Sequence, residues 1–249
     1  MSRLLATASL ALIACGSSPA EVAAPGHGSS STNSLAASLP ATLEATKPKT
    51  GDPRPVHVHV YADTGTRALP HWKEELTDQL DYAGQFLTPL LGIRITVDSI
   101  KEWEHTGSDP RLALKDLPQV EPKPDDDTVW VIGYIAPSDI SQKALMELGS
   151  MELLSKYVIV RSWGEKPEIE ALEGAIADVH MKQRGEAVAA QKRHKQTIVL
   201  LHMLFKSLGA IDEADPTWIQ HPLYSPKQNT LSDRNRDLVQ LAIDARLGG

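Results

Sequence analysis

The sequence is short of cysteine, of positive charge and of long apolar runs. Cys15 is its one cysteine, which excludes an internal disulfide. Lys and Arg number 25 against 32 Asp and Glu, a formal net charge of −7; that balance argues against a nucleic-acid partner, because phosphate binding needs a basic surface. A bilayer-spanning helix needs ~20 predominantly apolar residues. The apolar stretch near the start, Leu4 to Ala14, is about half that and is interrupted by Thr7 and Ser9. No Ser-His-Asp arrangement can be singled out, and no internal repeat is evident.

Arg3, the apolar stretch and then Cys15 have the layout of a secretory signal peptide, expected to be absent from the mature protein. Leu12-Ile13-Ala14-Cys15 resembles the lipobox of bacterial lipoproteins. That resemblance implies cleavage before Cys15, diacylation of its sulfur, and a membrane as partner through the lipid; two or three acyl chains anchor stably where one does not. Gly16 and Ser17, with no Asp after the cysteine, resemble the sorting signal for the outer membrane, so the expected location is the cell envelope. From Gly16 to Arg54 the chain is rich in Ser, Ala, Pro, Thr and Gly without helical or strand period, which predicts a flexible tether. Pro55–Gly249 is long enough for one domain with a core.

Within that domain Val56, Val58 and Val60 alternate with His57, His59 and Tyr61, which predicts a strand. Trp72, Leu76, Leu80, Ala83 and Leu87 recur at helical spacing, in a helix from about Leu69 with Pro70 in its first turn and an end near Pro89 and Gly92. Ile93, Ile95 and Val97 form a second strand, parallel to the first if the helix is a crossover. The proline-rich, acidic stretch from Gly107 to Asp127 reads as a surface excursion. Thr128–Ile135, apolar on both faces, reads as a central strand. A helix from Ile140 to Leu154, a strand over Tyr157–Val160, a charged helix from about Pro167 to Lys192 and an apolar one from Gln196 to Leu208 complete an α/β (α+β) order.

The apolar helix and its exit read His202-Met203-Leu204-Phe205-Lys206-Ser207-Leu208-Gly209-Ala210-Ile211-Asp212. This resembles the metzincin metalloproteases, in which His-Glu-x-x-His on one helix face holds zinc, the glutamate is general base, a glycine turns the chain and a third ligand, His or Asp, follows. The resemblance puts His202 at the first ligand position, Gly209 at the turn and Asp212 at the third ligand position. Met203 stands where the glutamate belongs and Lys206 where the second histidine belongs; neither can do that chemistry, so the metal positions His202, Lys206 and Asp212 read as vestigial. Downstream, Trp218–Pro226 resembles the turn beneath the metal, with Gln220 in place of its methionine and His221 beside it, and Ser232 reads as the N-cap of the last helix. The resemblance implies a zincin-like mixed sheet with a crossover helix, an active-site-type helix and a C-terminal helical subdomain. It further implies no catalytic residue and no cofactor, with zinc on atypical ligands as the alternative.

Other clusters read more simply. His57 and His59 share a strand face and read as a solvent-facing or edge pair, Asp125-Asp126-Asp127 as a solvated turn lacking calcium-loop spacing, and His194 as too far along the helix from His202 to share an ion. Lys206 lies one turn from His202, so its ammonium is expected to take the place of the metal's charge and pair with Asp212. The function expected is that of a non-catalytic peptide- or protein-binding pseudoenzyme. An active zinc metallopeptidase and a structural envelope lipoprotein are the alternatives.

Overall fold

The structure is a computed structural model that describes residues 39–137, 144–162, 170, 173–174, 176–177 and 180–248. The signal peptide, Cys15, the tether up to 38, the first part of the helix expected from Ile140 and most of the charged stretch after Trp163 lie outside the described residues.

Strand β1 (Arg54–Ala62) is followed by a short helix α1 (Thr64–Arg67), a long helix α2 (Trp72–Leu91) and β2 (Ile93–Glu102). Then come α3 (Pro110–Val120), β3 (Thr128–Ile135), α4 (Leu145–Leu148), β4 (Gly149–Met151) and β5 (Tyr157–Arg161). Two helices close the fold, α5 (Met181–Ser207) and α6 (Asp233–Arg246). The sheet order is β2-β1-β3-β5-β4, with β1, β2, β3 and β5 parallel and β4 antiparallel at the edge. β3 is the central strand and every one of its residues is buried, as its two apolar faces require.

The alternation along β1 decides the layering. Val56, Val58 and Val60 face one core with α2 and α5, while Tyr61 joins Trp103, Ala113, Leu117, Val131, Ile135 and Ile159 beneath α3 on the other face. The result is a three-layer α/β/α arrangement, a mixed sheet with a crossover helix between β1 and β2.

Several sequence expectations are corrected. At the end of β1, Asp63 caps α1 by accepting from the Thr66 amide at 2.6 Å, and its other oxygen accepts from Ala136 N at 3.1 Å, tying the ends of β1 and β3 together. Helix α2 begins at Trp72 after His71 in the left-handed region (φ 55°), so Pro70 precedes the helix. The excursion after Gly107 contains α3, capped by Asp109 with Pro110 in its first turn, where a missing N–H costs nothing. The helix expected through Leu154 ends at Leu148, and Gly149–Met151 form the edge strand β4 instead. The charged and apolar helices around Lys192 are one continuous helix of 27 residues. Its pattern changes because its second half, from His194 on, runs through the core with every side chain from Thr197 to Phe205 buried. The end of the expected tether is also docked: Ala41 and Glu44 donate to the carbonyls of Pro226 and Asn229 at 2.8 and 2.7 Å, and Lys49 to that of Pro89 at 2.8 Å. Among the described residues no helix is long and apolar enough to cross a membrane.

Helix α6 buries Val239 and Ile243 in the main core, and one side chain at its end ties three elements together. The Arg246 guanidinium donates to the carbonyls of Val129 (3.1 Å), Ser155 (2.9 Å) and Ser207 (2.9 Å), joining the start of β3, the β4–β5 turn and the end of α5. Removing it takes a donor from three carbonyls, of which Ser207 keeps the Leu154 amide at 3.0 Å, so Arg246→Ala is expected to lower the unfolding free energy by roughly 2–3 kcal/mol, measured by urea denaturation.

Candidate functional site

The site is assembled on the buried half of α5. His202 is fully buried; its Nδ1–H donates to the Ile219 carbonyl at 2.9 Å, and its Nε2 is buried with no hydrogen-bond partner among the described residues. That bond selects the tautomer whose lone pair is on Nε2, the form in which imidazole ligates metals. Burial pushes the ring's pKa down to about 4, with the Ile219 carbonyl opposing and Lys206 reinforcing the shift, so His202 is neutral at physiological pH.

Lys206 lies one helical turn on, and Asp212 returns to meet it. Gly209, at φ +95°, accommodates a turn that a side chain would strain. Beyond it Asn235 of α6 clamps Ile211, accepting from its amide at 2.8 Å and donating to its carbonyl at 2.9 Å. The carboxylate of the next residue, Asp212, then lies 2.7 Å from the Lys206 ammonium. The pair is lopsided in exposure, with Lys206 largely buried and Asp212 half exposed. Lys206, Asp212 and His221 are all near enough to His202 to act on its charge.

The turn below is held from the same helix. Gln220 is fully buried and its Nε2 donates to the His202 carbonyl at 3.4 Å, so helix and turn are bonded reciprocally. Gln228 spans the turn, donating to the carbonyls of Trp218 (3.1 Å) and His221 (3.4 Å) and accepting from the Ser225 amide at 2.9 Å. Its own carbonyl accepts from His194 Nε2 at 2.7 Å, which makes His194 a structural partner of the turn, away from His202. Burial lowers the His194 pKa to about 4. His221 itself is only partly buried, with Nδ1 3.2 Å from the Leu223 amide. Sequence reasoning missed Asn235 and Gln228; a polar amide in a helix's first turn and another in a turn are common, and nothing in their spacing marks them as buried clamps.

Met203, which the sequence resemblance sets against a general base, is fully buried. It packs on the edge strand so closely that a Cβ at Gly149 would lie 2.8 Å from Met203 Cγ and 2.7 Å from the Ile159 carbonyl oxygen. A thioether there accepts no proton from water. Beside it, the chain entering β4 meets the chain leaving the turn: Ala144 and Leu223 form an antiparallel bridge, and Leu145 N donates to Pro222 O at 2.9 Å.

His57 and His59 are not a bare surface pair. Their face of β1 carries a polar network in which His57 Nδ1 lies 2.9 Å from Asp98, His59 Nδ1 2.5 Å from Glu121, and the Tyr61 hydroxyl donates to Glu121 at 2.5 Å. Asp98 is the residue inserted where β2 slips register against β1 between Val58 and His59, a bulge that re-aims its side chain. The Asp98 contact raises the His57 pKa; Glu121 is lowered, burial working against hydrogen bonds from Tyr61 and His59 that prevail. Among the described residues no group of three or more His, Cys, Asp or Glu could hold a metal ion, neither in this network nor around His202.

Two expectations follow for stability. Gly149→Ala forces a methyl against a backbone oxygen and the Met203 side chain, and is expected to cost about 1–3 kcal/mol, read by thermal and urea unfolding. His194 and His202 have folded pKa values of about 4, below the ordinary 6.5, so the stability they contribute is complete above pH 6.5 and is lost as pH falls toward 4. Each adds up to about 1.4 kcal/mol per pH unit to the slope in that window. His57, raised, acts in the opposite sense. In His202→Asn the slope between pH 6.5 and 4 is expected to fall by up to about 1.4 kcal/mol per pH unit relative to the parent.

No protein-family model matches the chain, and no curated protein matches it in sequence. Solved structures do share its fold. Archaemetzincin from Methanopyrus kandleri superposes with a TM-score of 0.50 at 13% identity, over 76% of this chain and 96% of that one. A chain in the structure of a chaperone–substrate complex gives 0.52 at 9% identity, over 80% of this chain and 36% of its own length. Metalloproteinase-II from Bacteroides fragilis gives 0.47 at 14% identity, over 85% of this chain and 60% of that one. At such identities the likeness is one of architecture: this chain has a mixed α/β fold of the zincin-like kind seen in archaemetzincin.

Proposed function

We propose that the protein is a lipid-anchored component of the cell envelope, held through Cys15 in the outer membrane, whose zincin-like domain binds a peptide or envelope protein without cleaving it. The observation that carries the non-catalytic half is the 2.7 Å ion pair between Lys206 and Asp212. It stands where the family resemblance puts two metal ligands, and catalytic zinc sites use three protein ligands. With Met203 buried at the base position, the helix has neither a complete ligand set nor a group to activate water. No hydrolytic step is derived from it.

The binding half rests on the sheet edge. Among the described residues β4 ends the sheet, with no partner strand on one side, and an extended segment adds to such an edge by main-chain hydrogen bonds, with pockets for alternate side chains giving selectivity. The Ala144–Leu223 bridge closes one end of the space between β4 and the turn, so a bound segment either lies along the remaining edge or displaces that bridge. A zinc peptidase with atypical ligands is the second reading, favoured by the unpartnered Nε2 of His202.

The two readings separate on metal content and capture. The detergent-solubilised protein, purified without chelator, is expected to carry no stoichiometric zinc and to retain an extended peptide or envelope protein that elutes uncut. Near one zinc per chain, lost in His202→Ala, would establish the peptidase reading. Absence of metal together with failure to retain any peptide or envelope protein would leave a purely structural lipoprotein.

A further inference from the structure

We propose that the free edge of β4 takes an extended peptide in the antiparallel sense, and that a cavity at the start of that strand holds the peptide's C-terminal carboxylate, so that the partner is recognised by its chain end. The inference rests on the binding half of the proposed function and adds to it the sense, the terminal group and the last side chain of the occupant.

The cavity has a volume of about 320 Å³, at the lower end of the range of ligand sites. Among the described residues it is lined by Ser108, Asp109 and Arg111 around the start of α3, by Met146 and Glu147 of α4, and by Arg161 at the end of β5. Arg161 is buried, and its Nη2 donates to the Ser108 carbonyl, which fixes the guanidinium in the cavity wall. Arg111 and Glu147 are exposed, and among the described residues neither side chain makes a hydrogen bond or an ion pair. The Asp109 carboxylate is occupied as the cap of α3, accepting from the Arg111 amide at 2.8 Å. Two guanidiniums therefore face one small space, and a guanidinium is the group best shaped to bind a carboxylate, by parallel N–H donors.

Register joins this cavity to the sheet edge. α4 runs directly into β4, which pairs antiparallel with β5 so that Gly149 stands opposite Val160; Arg161 is thus level with Leu148, one residue before the strand begins. Val158 and Val160 belong to the core shared with α5, and Ile159 to the core beneath α3, so by alternation Arg161 lies on the α3 face, opposite the face that carries His202. A segment added antiparallel to β4 runs its C-terminus toward Gly149 and Glu147. In the parallel sense its N-terminal ammonium would arrive beside the two guanidiniums, so charge favours the antiparallel one. The Ala144–Leu223 bridge closes the path at this same end. A segment that stops here presents its α-carboxylate to the arginines. Glu147 then meets the last side chain, which favours Lys or Arg there over Asp or Glu, with Met146 against the apolar stem.

The test immobilises the full chain in detergent and offers it a synthetic nonapeptide library, randomised at every position, as free acids, as C-terminal amides and as N-acetylated acids, with retained peptides identified by mass spectrometry. The free acids are expected to be retained about tenfold or more over the amides, the worth of a hydrogen bond between charged groups, with N-acetylation without effect and Lys or Arg enriched at the last position. Arg111→Gln, its fold checked by circular dichroism, is expected to lower the acid-to-amide ratio by about threefold or more. Glu147→Gln is expected to remove the preference for a basic last residue while keeping the preference for acids, a split that a structural role would not produce. Equal retention of acids and amides by the parent, or a ratio unchanged in Arg111→Gln, overturns the proposal and leaves peptide binding standing. So does retention that is lost on N-acetylation and kept on amidation, the mark of the parallel sense. Retention of none of the three forms overturns the proposal together with the binding reading beneath it.

Discussion

The hydrogen bonds exchanged between His202 and the turn below it hold the two halves of the molecule in register. The imidazole donates to the Ile219 carbonyl, and the next side chain of the turn, Gln220, donates back to the His202 carbonyl. Both residues are fully buried, where water cannot replace a lost partner and a broken bond costs the desolvation of each group. The contact fixes the turn against α5, a point of reference that the Asn235 clamp and the Arg246 bonds extend to α6. Ser207, at the end of the same helix, accepts from the Trp130 indole at 3.1 Å, which ties that reference to the central strand.

Given that anchor, the chemistry of the neighbouring positions follows from charge. An imidazole held neutral by burial, a carboxylate and an ammonium make a closed set: the two ions satisfy each other and the ring has nothing left to protonate it. The two opposite charges lie 2.7 Å apart beside the neutral ring. Met203, pressed onto Gly149, adds apolar packing where a hydrolase needs a proton acceptor, and the same contact fixes the edge strand β4 against α5.

The opposite face of the sheet has a different logic. α3 covers β3 and β5 more than β1, and the histidines of β1 are satisfied by carboxylates brought in from β2 and from Glu121 at the end of α3. Tyr157 adds a third tie, its hydroxyl donating to the Glu121 carbonyl at 2.5 Å. The network fastens a helix end to three strands by polar contacts where the apolar cover runs out.

The sequence alone determined the features whose physics is local or periodic. Alternation in Val56–Tyr61 and Ile93–Val97, the two-sided apolar run of β3, the helical spacing from Trp72, the Ser232 cap and the glycine turn at 209 are all visible without coordinates, and with the spacing of His202, Lys206 and Asp212 they pointed to the zincin-like fold and to the Lys206–Asp212 ion pair. Tertiary structure decided the rest, for reasons of the same kind each time. α3 lies among prolines that read as breakers, and it is held as a helix by burying Ala113 and Leu117 on the sheet. β4 has three residues, too few to show a period, and exists because β5 offers an edge. α5 changes pattern in mid-course because half of it enters the core. The clamps Asn235 and Gln228 are polar residues in ordinary positions, made structural only by the carbonyls and amides that the folded chain brings to them, since a buried backbone group must find its partner wherever in the sequence that partner lies.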